Sequence, residues 1–370
     1  MLTPQDDLLG HQLPTTFDHV GDSDPRWTER YWYTGHPLTG DIVFDFGLGR
    51  YPNRNVMDAF AGVSVAGRQY NFRASRHLRS NPLEPAVGPL KFEIREGLKR
   101  HRISLAPNDS AIAFDLEFEA SLPAAEEAQS LRRRHGRIEE DMARMTQFGR
   151  WRGWISVEGQ RTTVEPSAWW GQRDHSWGVR HTMNTDPTCP PVADYRNFLW
   201  LWCMYQFEDF GVCLFLKERA PGRTMYFSGS EVSWTPSGQP SVRPIDAVEH
   251  DIDWADDPLG QTVRRAHFRL RFEDGGTREL SVQTLPARYY LKGGLYGGLG
   301  GWNHGDDRGP FHGAADVWDL HDPACREIAR TLADHVCRVE SDGRSGVGIS
   351  EYGVAEGYPL YAAPQRFPAI

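Results

Sequence analysis

Along most of the chain, apolar and polar residues alternate with a period of two over short runs bounded by Gly, Pro, Asn and Asp, the pattern of half-buried strands. The segments 41–47, 63–66, 69–73, 90–95, 100–105 and 111–118 all read this way. In the last of these, Ile112, Phe114, Leu116 and Phe118 share one face while Asp115 and Glu117 share the other, as an antiparallel strand with one wet face requires. A second set follows at 151–157, 198–207, 212–217 and 224–228, then a hairpin over 266–282 that turns at Asp274-Gly-Gly-Thr277. The stretch 119–148 breaks the alternation with an Ala/Glu run, an arginine run and a second acidic run, and predicts a helical or mobile connection. One helix is predicted near 322–336, where Ile328, Leu332 and Val336 recur at helical spacing. Six glycines within 293–301 predict a bent or bulged strand rather than a phosphate loop, because neither GxxxxGK[ST] nor GxGxxG spacing occurs. The regular spacing predicts an all-β, mostly antiparallel protein of two barrel-like or sandwich-like units with few short helices. The boundary between the units is expected between 148 and 185. Drawn at 165, it gives an N-terminal β domain over 1–165 and a C-terminal one over 166–370.

Composition narrows the function. The 370 residues are 39% hydrophobic and 25% charged, enough for a packed core, and the 13 Trp, 13 Tyr and 18 Phe suit both pleated sheets and the walls of apolar pockets. A net charge of −9 argues against nucleic-acid backbones and anionic membrane surfaces as partners. No run reaches the length of a membrane span, and the N-terminus reads as no signal peptide. Cys189, Cys203, Cys213, Cys325 and Cys337 are odd in number and form no CxxC pair, which fits reduced thiols, a cytoplasmic location and no structural zinc.

The densest reactive cluster is WWGQRDHSWGVRH at 169–181. On a regular strand Arg173, His175 and Trp177 face one way and Asp174 and Ser176 the other, so Asp174 and His175 share a lumen only if the strand bulges. As a proton-transfer site, His175 acts beside Trp177 with Asp174 as acid or orienting partner. As a structural feature, Arg173 and Asp174 form an ion pair bridging two domains. Trp200 and Trp202 alternate onto one face with Phe198 and Met204, either as a core strand or as a pocket wall able to stabilise positive charge. His304 and Glu351 each stand beside an aromatic residue and complete the candidate substrate contacts with Arg173, Trp177, Trp200 and Trp202. A metal at His304, Asp306 and Asp307 is not expected for want of HxH or HxxxH spacing, and no GxSxG nucleophile elbow occurs.

The order QFGRWRG (147–153), RDHSWG (173–178), Trp200-Leu-Trp202 and EYGVAEGY (351–358) resembles the carotenoid 1,2-hydratase (hydroxyneurosporene synthase) and AttH-like superfamily. The resemblance implies two lipocalin-like β-barrel domains. It also implies an acid that protonates an isoprenoid double bond to a carbocation captured by water, with a His-x-Trp pair at His175 and Trp177. The downstream Tyr-x-Asp of those hydratases has no counterpart; Trp200 and Trp202 stand in that region.

These readings converge on a cofactor-independent enzyme, a lyase or isomerase/cyclase, working by acid–base chemistry on an apolar terpenoid, steroid-like or polyketide-like substrate. Asp174 and His175 are the expected proton carriers, with Glu351 the second candidate for an acid held neutral by burial among aromatics. The alternative is a carrier that holds a hydrophobic molecule in a lipocalin-type cavity.

Overall fold

The computed structural model describes residues 2–361 apart from 10, 80, 135, 181–196, 257–261 and 331; His181 and Cys189 therefore lie outside the described residues. The expected all-β, antiparallel architecture is present. The first unit is one curled sheet with the strand path Phe311–Asp319, Arg68–His77, Val56–Val65, Ile42–Tyr51, Trp27–Pro37, Trp169–Val179, Arg137–Val157, Ile112–Ala120, Arg100–Leu105, Leu90–Glu96, Ala86–Val87. Its ladder does not close on itself. The second unit is a closed barrel of eight strands, running in order from Leu199–Gln206 to Arg344–Val354, which pair with each other to shut it. Hydrogen bonding thus places Trp169–Val179 in the first sheet, between Trp27–Pro37 and Arg137–Val157, and returns Phe311–Asp319 from the second half of the chain to that sheet's edge. A cut at 165 separates strands that share one ladder.

Alternation decides which core each strand serves. Phe44, Phe46 and Leu48 enter the first core with Tyr33, Phe114 and Trp151, while Val43 faces the other way, toward the second unit. In the barrel, Leu201, Cys203 and Tyr205 point inward and Trp202 and Met204 outward. A third apolar cluster, including Trp32, Phe60, Phe148, Trp202, Phe215 and Tyr289, joins the two units. There Trp32 meets Trp202 edge to face at 5.2 Å and Phe60 stacks on Tyr289, contacts worth about 0.5–1.5 kcal/mol each beyond their burial. Gly62 makes this approach possible, since any side-chain Cβ there would collide with the Tyr289 ring.

Three local expectations are corrected. Within 119–148 lie strands, including the start of the 21-residue strand Arg137–Val157. Its charged residues pair across the ladder, Arg132 with Glu139 at 3.1 Å and Arg144 with Glu127 at 3.1 Å, so ion pairs satisfy groups that in sequence suggest a solvated helix. The glycine-rich segment is a 3-10 turn at Leu291–Gly294 followed by turns, several of its glycines taking positive φ. The helix near 322–336 is confined to Pro323–Ala329, capped by Asp322, after which Ala333–Ser341 is a strand.

Candidate active site

The strand Trp169–Val179 keeps strict alternation through the RDHSWG segment, pairing residue for residue with both neighbours. Asp174 and His175 therefore face opposite sides of the sheet. Arg173 turns into the first core, where its guanidinium donates to Gln147 Oε1 at 2.9 Å through Nε. It is not the partner of Asp174. His175 follows on that face, edge to face with Tyr31 at 4.6 Å and 3.1 Å from Glu29 Oε1. Burial alone would raise the Glu29 carboxyl, but the His175 contact and Arg50 hold it below the usual range. Trp177 lies 5.0 Å from the His175 ring at a more open position, 39% exposed.

Asp174 looks into the seam between the units. Its partner is Arg144, with Nε 3.2 Å from Oδ2, and the same guanidinium reaches Glu127 Oε2 at 3.1 Å. Trp202 donates its indole N–H to Glu127 Oε1 at 3.1 Å. Burial raises the Glu127 carboxyl above its ordinary value despite Arg144 and that indole. Arg144 is raised in turn, because the two carboxylates outweigh its own desolvation. The seam is not sealed, for the Asp174 side chain keeps 13% of its surface and Trp200, Tyr226 and Tyr296 are only partly buried.

Glu351 enters the seam from the barrel. It sits directly opposite Trp202 in the ladder and accepts the Trp200 indole N–H at 3.0 Å. Burial pushes its carboxyl up to about 7; Trp200 and Arg144 pull it down, and the nearby Asp174 carboxylate adds to the rise. Lys217, opposite Trp200, lies over the Trp200, Phe215 and Tyr226 rings, 5.1 Å, 4.8 Å and 5.4 Å from their centroids.

His304 closes the other side. Its Nε2 is 2.5 Å from the Gly294 carbonyl and 3.2 Å from Arg30 Nη2, and burial with the Arg30 charge holds the ring neutral. Arg30 also donates to Tyr51, which donates to Asp58, and lies over the Tyr296 ring at 5.3 Å. His304 is thus part of the scaffold that aims Arg30. Asp306 pairs with Arg54 and Asp307 with His77, and among the described residues no three His, Cys, Asp or Glu side chains are grouped to hold a metal ion.

The seam therefore assembles Asp174, Trp200, Trp202 and Glu351, borders His304, and leaves Arg173, His175 and Trp177 on the far face of the first sheet. It also contains Arg144, Glu127, Arg30, Tyr296, Tyr226 and Lys217, which the sequence did not single out. Arg144 and Glu127 fell in the stretch read as a connection. Alternation on 169–179 signalled that Asp174 needed a partner from a neighbouring strand rather than from Arg173.

These features define a two-unit antiparallel β protein with a charged, aromatic-walled seam. The chain belongs to the family of unknown function DUF8625, whose model matches residues 2–357. No curated protein matches by sequence. Among solved structures, a candidate AttH protein of Nitrosomonas europaea is similar over 90% of this chain and 93% of its own, at 13% identity and a TM-score of 0.55. Kievitone hydratase from Nectria haematococca is similar at 12% identity and a TM-score of 0.44, covering 89% of each chain. CghA, bound to Sch210972, is similar at 10% identity and a TM-score of 0.49, covering 90% and 89%. The chain shares the fold of the AttH-like protein, as the resemblance of its motifs implied. Among the described residues, no helix is long and apolar enough to cross a membrane.

Proposed function

We propose that this chain is a cofactor-independent acid–base enzyme, a lyase or isomerase/cyclase, that handles an apolar terpenoid, steroid-like or polyketide-like molecule at the seam. The observation that carries this reading is the Glu351 carboxyl, buried among tryptophans with its pKa at about 7, so that it holds a proton where an ordinary carboxylate does not. Protonated Glu351 delivers its proton to a substrate double bond, and the developing positive charge lies against the Trp200 and Trp202 rings. Asp174, paired with Arg144, is the complementary carboxylate that accepts a proton from the neighbouring carbon. One proton enters and one leaves, giving isomerisation or cyclisation; capture of the cation by water, which then gives up a proton, gives hydration. His175, on the other face, does not take part in this step.

The test is incubation of the protein with a panel of apolar alkenes in deuterated water. Deuterium in product or recovered substrate supports the enzyme. Tight binding across the panel without exchange supports a carrier instead.

A further inference from the structure

Behind Glu351 lie two carboxyl groups that the reaction above does not use. Asp334 stands directly opposite Glu351 on the next barrel strand, and Asp45, from the first sheet, interacts with the Asp334 side chain. Both are 0% exposed, and none of their four carboxyl oxygens has an N–H or O–H donor within hydrogen-bond geometry. The Thr34 hydroxyl beside Asp45 donates instead to the Phe44 carbonyl at 3.0 Å. Other groups facing them are Tyr289, whose hydroxyl donates to Asn71, with Arg73 and Asp316 beyond it. On the Glu351 side stand Trp200, Arg144, Asp174, Arg180 and Tyr296.

Two ionised carboxylates cannot be buried in mutual contact, so such a pair keeps at least one proton between them. Burial raises both Asp45 and Asp334 well above the carboxylate range; Glu351 adds to each rise and Asp45 adds to that of Asp334, while the side-chain contact from Asp334 works the other way on Asp45. Asp334 interacts with Asp45 on one side and Glu351 on the other. A neutral carboxyl in that middle place has one O–H to give, and the stronger acceptor is whichever neighbour is ionised. When Glu351 loses its proton to substrate, the best acceptor is Glu351.

We propose that Asp334, backed across the unit boundary by Asp45, is a positioning residue that donates its hydrogen bond to ionised Glu351 and so makes Glu351 a stronger acid than its burial alone allows. This rests on the acid role given to Glu351 above. The two units are then coupled at this site: Asp45, from the first sheet, keeps its own proton, and the one O–H of Asp334, from the barrel, turns to Glu351.

The test reads the ionisation of Glu351 without turnover. The Trp200 indole 15N–1H signal, assigned by its loss in Trp200→Phe, is followed by NMR across the neutral range in the intact protein. The wild type is expected to show a step at about 7. In Asp334→Leu, which removes the donor but fills the space, Glu351 becomes a roughly tenfold or more weaker acid and the step moves up. In Asp334→Asn, whose amide still donates, the step stays near the wild-type value. An unmoved step in Asp334→Leu overturns the proposal while leaving the acid role of Glu351 intact. A moved step in a protein without proton-transfer activity has the opposite meaning. Should Asp334→Leu not fold, infrared spectroscopy of the wild type decides. A protonated-carboxyl C=O band that persists above neutral pH, and weakens in Asp334→Asn, is expected; its absence in the wild type overturns the proposal.

Discussion

Asp174 is bound not by Arg173, its neighbour in sequence, but by Arg144 across the ladder, with Nε and Oδ2 3.2 Å apart. Arg144 simultaneously holds Glu127, so one largely buried guanidinium serves two carboxylates from different segments of the chain. Arg144→Met leaves both acids without their counter-charge and should cost about 3–5 kcal/mol in urea unfolding. Asp174→Asn keeps the Arg144–Glu127 pair and should cost clearly less. Equal losses in the two variants would show that Arg144 does not act as this hub.

Glu351 links acidity to stability. Its folded value of about 7 stands above the ordinary 4.5 because burial disfavours the charge. The folded state therefore binds this proton more tightly than the unfolded state. The contribution is complete below pH 4.5 and is lost as pH climbs through 7. Relative to Glu351→Gln, which cannot ionise, the wild type should lose about 3 kcal/mol of unfolding free energy across that window. Parallel stability curves would refute the raised pKa of Glu351.

Trp200 contributes its N–H to the ionised form of Glu351 at 3.0 Å. A donor to the charged form lowers a carboxyl pKa, so its removal raises it. In Trp200→Phe the pH above which activity declines should therefore move upward from about 7, with the fold retained. A downward move in the pH–rate profile would contradict the contact.

His175 shares its face with Tyr31 and Glu29 rather than with Asp174. His175→Ala should leave turnover within about tenfold of wild type, since it lacks the 10²–10⁴-fold effect of losing a group that transfers a proton. A loss on the scale of Glu351→Gln would move the reacting centre to the other side of the sheet.

Many of the strands were legible because segments such as Ile112–Ala120 have one wet face and advertise it by period. The strand Arg137–Val157 was legible only over 151–157; its first part was not, because cross-strand ion pairs let Arg and Glu occupy a partly buried strand, and those partners are distant in sequence. Trp200, Trp202 and Glu351 could be named because acids and indoles within short aromatic strands stand out. Asp45 and Asp334 could not. Each is a lone acid, and only the docking of the barrel on the sheet reveals that the two face each other. One cue existed: Asp45 lies between Phe44 and Phe46 in a strand buried on both faces, where an acid has no route to water.

In the proposed reaction Glu351 gives its proton to an apolar substrate in the seam. The decisive measurement is deuterium incorporation into a responsive alkene, followed against pH for the wild type and Glu351→Gln. Incorporation should fall as pH rises through about 7 in the wild type and drop at least a hundredfold in Glu351→Gln. Incorporation at the wild-type rate in Glu351→Gln, with an unchanged pH profile, would contradict that role of Glu351.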